Sequence, residues 1–290
     1  MFKPWSGRLV AALLSAFLCA PAALAQTKPA PAAAGPWAKV PALPTACYQD
    51  AFHEKLYAAQ EAVNADLYKQ QAINSKIKQA YQNIDPMEMA TRMQQWMMAN
   101  PEEAMAFMQA TQSVGQDLPG LLQADGAKRQ ALDAERDALF KRYETALAVA
   151  YAPADVRWKA LAVKMGIPAD SRSMPESGAP DWAYAEETAI RLQRDQLYQA
   201  FCPQWWGAAG PIHMFVKKYR SWLIQEHIPF LDKYDAQNAQ TFAIMNTPAA
   251  SYKSTSTHTT VVEYMQYIDP IFQRRIGQPN CPNGVCPKGL

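Results

Sequence analysis

The chain has 290 residues, 49% of them apolar and 19% charged, with a formal net charge of +2. That length suits one large domain or two small ones. A charge so close to zero gives no general attraction to nucleic acid or to an anionic membrane.

Residues 1–25 read as a secretory signal peptide. Lys3 and Arg8 precede an apolar run over residues 9–18, and Ala23-Leu24-Ala25 closes the segment as a small-x-small cleavage site. The run is too short to span a bilayer, and no later stretch is apolar for long enough. Cleavage between Ala25 and Gln26 predicts an exported protein, periplasmic or secreted, and soluble once mature. It also removes two cations, so that 28 Lys and Arg against 26 Asp and Glu become 26 against 26. Cys19 leaves as well. Leu18 before it is bulkier than a lipid-attachment site wants. Four cysteines remain, Cys47, Cys202, Cys281 and Cys286, and an even set in an oxidising compartment predicts two disulfides.

Residues 26–45 are mostly Pro and Ala and predict a flexible, partly polyproline tether. From residue 47 to 84 the apolar residues Tyr48, Phe52, Leu56, Val63, Leu67, Ile73, Ile77, Tyr81 and Ile84 recur at steps dominated by three, four and seven, without Gly or Pro. That pattern predicts one amphipathic helix roughly 55 Å long, and so an elongated protein or a bent helix. Asp85-Pro86-Met87-Glu88 then reads as a cap for the next helix, with Glu88 in the reciprocal capping place. Asn100-Pro101-Glu102-Glu103 repeats the device. Two short helices, about 86–98 and 101–113, would form a hairpin ended by Gly115 and Pro119-Gly120.

Residues 125–151 predict another long helix with Leu132, Leu139, Tyr143, Leu147 and Tyr151 on one stripe and a mixed-charge solvated face. Pro153 would start a short helix closed by Gly166. Asp181 would cap a helix to Phe201. Pro211 would open one that turns Ile212, Phe215, Val216, Tyr219, Trp222 and Leu223 inward, until Pro229 kinks or ends it. Residues 250–259 read as a Ser/Thr-rich loop. Thr260-Val261-Val262-Glu263 reads as a last capping box, or a short strand. The fold class is all-α: an elongated antiparallel helical bundle, coiled-coil-like in its long helices, with a short Met-rich hairpin. The layout is a signal peptide at 1–25, a Pro/Ala-rich segment at 26–45, a helical domain at 46–276 and a tail with a small cysteine loop at 277–290.

Four cysteines allow three pairings. Asn283-Gly284 favours a reversal between Cys281 and Cys286, which leaves Cys47 with Cys202. That second bridge would set the helices after Cys47 and before Cys202 side by side and antiparallel. A redox or zinc role is disfavoured, because C-x-x-C is absent and export favours oxidation.

The chemical anomaly is methionine. Met87, Met89, Met93, Met97, Met98, Met105 and Met108 fall within 22 residues. Met89, Met93, Met97 and Trp96 share one helical face, and Met105 and Met108 share one on the next helix. Plain core packing is the first reading. A plastic groove for an apolar partner segment is the second. A thioether site for Cu(I) or Ag(I) is the third, and no other cofactor is expected. Trp205 and Trp206 lie beside Cys202 and read either as packing over a bridge or as an exposed aromatic contact. Lys217, Lys218 and Arg220 read as a solvated basic face, with an anionic partner as the second reading.

No catalytic residues emerge. His53, His213, His227 and His258 fall in no metal-protease or di-iron spacing, and G-x-S-x-G is absent. Ser75-Lys76-Ile77-Lys78 matches S-x-x-K by chance in mid-helix. Glu102-Glu103 and Glu186-Glu187 are adjacent acids that suit helix starts. The expected function is a non-enzymatic binding, scaffold or chaperone-like component of the cell envelope, with another envelope protein or peptide as partner. A soft-metal protein is the alternative, and an enzyme with a dispersed site the third.

Overall fold

A computed structural model describes residues 35–45, 50–168, 171, 174–175, 178–245 and 251–273. The expected signal peptide, Cys47, Cys281, Cys286 and the expected tail loop lie outside the described residues. Among the described residues all long elements are helical. They are α1 (Asp50–Gln82), α2 (Pro86–Ala99), α3 (Pro101–Met165), α4 (Asp181–Phe201), α5 (Pro203–Trp206), α6 (Pro211–Trp222), α7 (Ile228–Ile244) and α8 (Ser256–Gln273). The protein is an all-α helical bundle.

The first helix forms where the apolar spacing places it. Its stripe of Phe52, Leu56, Val63, Leu67 and Ile77 is buried. Asp85 caps α2 as its sequence suggests, accepting from the Met87 and Glu88 amides at 2.8 and 3.3 Å. Glu88 does not reciprocate; it pairs with Arg92 at 2.5 Å. Asn100 also departs from its expected role. Its side chain makes no cap bond to α3, and its amide Nδ2 donates back to the Trp96 carbonyl at 3.1 Å.

The largest correction concerns α3. The short helix at 101–113, the long helix at 125–151 and the short helix from Pro153 are one helix of 65 residues that carries Pro119 and Pro153 inside it. At 1.5 Å per residue this is about 98 Å of helix. The expected end at Gly115 and Pro119-Gly120 is not made, and the Asp117 carboxylate between them accepts from Ser113 at 3.1 Å inside the continuous helix. Pro119 removes the hydrogen bond to the Gly115 carbonyl four residues back, and the helix continues through that loss. Gly166 does stop the helix. At φ 65° it takes the left-handed conformation, and its amide donates to the Ala162 and Val163 carbonyls.

The helix opened by Pro211 gives up its regular α geometry after Trp222, just before Pro229. The chain passes from α6 to α7 through a π turn, Leu223–His227, in which the Ile228 amide donates to the Leu223 carbonyl. Pro229 has no amide to give the carbonyl four residues back, and a wider turn accommodates that loss. Asp181 lies in the first turn of α4, whose N-cap is Pro180. The region expected to hold a capping box at Thr260 is already inside α8, so that no strand forms among the described residues there.

Among the described residues helix pairing is antiparallel, but α1 lies along α8 and α4 along α3, and not α1 along α4 as the expected bridge would set them. Asp155 and Arg157 of α3 meet Arg194, Glu186 and Gln193 of α4. Along α1 and α8, His53 meets Asp269 at 2.8 Å, while Gln70 and Asn74 bond the Ser251 and Lys253 carbonyls just before α8. The main core joins α1, the middle of α3, the end of α4, α5, α6 and α8. Its centre is Tyr143, fully buried among Phe140, Phe201, Trp205 and Trp206.

Residues 35–45 are not a free tether. Gly35–Lys39 forms a 3-10 turn whose Trp37 is buried in the main core, 5.2 Å from the Tyr264 ring. The Arg220 guanidinium covers that indole at 4.9 Å. Lys39 fastens the segment to α1 through Asp66 at 2.6 Å, and that pairing lowers the carboxyl's pKa.

Candidate functional site

The methionine segment is an arm of α2 and the first part of α3. The two helices reverse at Asn100, and the Trp96 and Phe107 rings meet edge to face at 5.8 Å. The reversal holds its base to the bundle. Tyr81 Oη donates to Met89 Sδ at 3.5 Å, and Arg92 donates to the Met245 carbonyl at 2.6 Å. Farther along α3, Asp125 meets His227 Nδ1 at 2.9 Å, on the π turn.

Beyond those anchors the arm has no core of its own. No residue of α2 is buried, and none lies buried in α3 between Ala104 and Leu132. Met87, Met98, Met105 and Met108 are 77%, 68%, 60% and 51% exposed. Met89, Met93, Trp96 and Met97 are half-buried on the inner side. Plain core packing is therefore overturned for the four outer methionines. Leu121 and Leu122 extend the exposed apolar surface along α3. From Met93 to Gln116 the charged residues are Glu102 and Glu103, and the polar remainder is largely Gln. The surface is apolar, polarisable and nearly uncharged, with helical spacing.

Trp205 and Trp206 form no exposed aromatic pair. Trp206 is buried and donates to Tyr143 Oη at 3.4 Å, and Trp205 is half-buried with its ring 5.3 Å from the same tyrosine. The Lys217, Lys218 and Arg220 cluster is partly committed: Lys218 pairs with Glu135 at 2.6 Å and Arg220 covers Trp37. Cys202 is fully buried and disulfide-bonded, and its partner lies outside the described residues.

The histidines disperse. His227 is buried against Asp125 and faces the Trp222 ring at 5.4 Å. A carboxylate on Nδ1 orients an imidazole as in a catalytic triad. Here the pair joins this stretch of α3 to the π turn. Among the described residues no three His, Cys, Asp or Glu side chains group as metal ligands.

His213 and His258 carry a pH dependence. Burial lowers both below the ordinary histidine value of 6.5, with Lys217 adding to the effect on His213 and Lys39 on His258. A base whose folded pKa is depressed is more easily protonated in the unfolded chain. Stability is then complete above the unfolded value and falls as pH drops below about 6.5. Asp195 acts the other way, since burial raises its carboxyl and acid relieves that cost. Thermal melts across this range should show the midpoint falling with acidification. His213→Gln, which retains a donor for the Pro44 carbonyl, should reduce the slope; an unchanged slope would remove His213 from the account.

Two side chains at the site carried no clear sequence signal. Arg92 gave no hint that it would reach Met245, because a long-range carbonyl contact has no local pattern. Trp37, a lone large aromatic followed by Val40 and Leu43, was masked by the Pro/Ala composition around it. Comparison with protein-family models, with curated proteins and with solved structures finds no match to the chain.

Proposed function

We propose that this is an exported, non-enzymatic binding protein of the cell envelope, a scaffold or chaperone-like component. It takes an uncharged, apolar segment of another polypeptide on the outer face of the methionine arm. The observation that carries this reading is the exposure of Met87, Met98, Met105 and Met108 on a helical hairpin without a core of its own. Flexible thioether side chains adapt to varied apolar partners, and helix-in-groove docking uses such spacing. The scarcity of charge argues against nucleic acid and against a charged peptide. The leader at 1–25 supports export. In that setting Cys47 pairs with Cys202, and Cys281 with Cys286.

Replacing the four exposed methionines together with glutamine tests the arm. A labelled amphipathic peptide of Leu and Gln should bind the natural protein by fluorescence anisotropy. The variant should bind it more than about tenfold more weakly, a loss of about 1.4 kcal/mol. Stability should change little, since exposed substitutions stay within about 0.5 kcal/mol each. Equal binding by both proteins would refute the assignment. Light scattering that showed a dimer lost in the variant would reassign the face to self-association.

The soft-metal reading uses the inner methionines of the same arm, with Met89, Met93 and Met97 at successive helical turns of α2 as the thioether ligands for Cu(I) or Ag(I). Calorimetric titration with Cu(I) under reducing conditions separates the two, and absence of heat beyond dilution retires the metal.

A further inference from the structure

The methionines divide by exposure in a way that core packing alone does not demand. Met174, Met245 and Met265 are buried, whereas Met87, Met98, Met105 and Met108 stand open on the arm and Met214 stands open on α6. We propose that the four arm methionines are an oxidation site, and that a peroxide closes the arm's docking surface by converting them to sulfoxides. The consequence for binding rests on the docking reading above; the chemistry at the sulfurs does not.

The reaction is a two-electron oxygen transfer. A sulfur lone pair attacks one oxygen of hydrogen peroxide, the O–O bond breaks and an S–O bond forms. The thioether becomes a sulfoxide and the peroxide leaves as water. A dithiol reductase reverses the step: two thiols become a disulfide, and the sulfoxide oxygen leaves as water. The product is a strongly polar group where a flexible apolar one stood.

Position makes this a switch and not damage. None of the four side chains is buried, so the fold loses no packing when they change. Oxidising Met245 or Met265 would disrupt the interior, and both are sealed from solvent. On the inner face Met89 is half-buried and already accepts from Tyr81, which slows attack there. Outside the arm, the exposed Met214 serves as an internal control.

The full-length mature protein is treated with dilute hydrogen peroxide, and aliquots are followed by peptide mass mapping, circular dichroism and anisotropy with the Leu/Gln peptide. Sulfoxides should appear at Met87, Met98, Met105, Met108 and Met214 before Met174, Met245 and Met265, with helicity unchanged. Peptide binding should weaken more than about tenfold, or 1.4 kcal/mol. Replacing the four arm methionines with leucine should retain binding through the treatment, while Met214→Leu should lose it as the natural protein does. Simultaneous oxidation of buried and exposed methionines would overturn the site. Undiminished binding after oxidation, or a leucine variant just as sensitive, would overturn the switch. Failure of the untreated protein to bind the peptide would sink the docking reading, leaving the order of oxidation to judge the site by itself.

Discussion

Replacing Tyr143 with alanine lowers the free energy of unfolding by about 4 kcal/mol, measured by urea denaturation. Tyr143 is fully buried and lies where α3 meets the end of α4 and α5. Its ring lies 5.5 Å from Phe201, 5.3 Å from Trp205 and 6.1 Å from Trp206. Truncation removes that aromatic surface, opens a cavity too rigidly lined to collapse, and leaves Trp206 Nε1 without its acceptor. Tyr143→Phe separates the terms. It keeps the ring and loses the hydroxyl, and should cost about 1 kcal/mol. The arm draws nothing from this centre, so a moderately destabilised Tyr143 variant should still bind the Leu/Gln peptide while folded. A loss under about 1 kcal/mol for alanine would mean that the aromatic cluster is not the organising contact of the core.

How much of this was legible in the sequence depended on whether the signal was local. The stripe of α1, the Asp85 cap and the Gly166 stop all act within a few residues, and each appears where the sequence placed it. The inward set of α6 was readable for the same reason, because 3.6-residue periodicity survives whatever packs against it. The breaks assigned at Gly115, Pro119 and Pro153 failed because glycine and proline carry finite costs, about 1 and 3 kcal/mol, rather than vetoes. Breaking α3 instead would strand four amides and four carbonyls at each new pair of ends. Asp117, the one side chain suited to cap a new start at Pro119, is held by Ser113. Trp37 was hidden by its neighbours' composition. The outer methionines were the hardest case: a helical stripe tells which residues share a face, and says nothing about whether another element covers it.

Cys202→Ser has the largest expected effect, a loss of about 5 kcal/mol under oxidising conditions. Cys202 is fully buried at the end of α4 and disulfide-bonded. Two ring contacts tie its surroundings to the start of α1. Trp206 lies 5.3 Å from Phe272, and Phe272 lies 4.9 Å from Phe52. Cys47, the partner proposed for Cys202, precedes Phe52 by five residues of sequence. Pairing the two closes a loop of more than 150 residues, and the chain-entropy model converts that length into about 5 kcal/mol. A bridge from Cys47 to Cys202 would tie the chain before α1 to the start of α5, beside the cluster that Tyr143 organises. Its loss should therefore unfold the core and not merely free the N-terminal segment. Cys281→Ser should cost far less, since the loop from Cys281 to Cys286 is short. A non-reduced peptide map should show Cys47 joined to Cys202; a fragment joining Cys202 to Cys281 or Cys286 would overturn the pairing. Reducing agent should bring the natural protein down to the stability of the serine variant and leave that variant almost unchanged. An equal response of both proteins would place the stabilising bridge elsewhere.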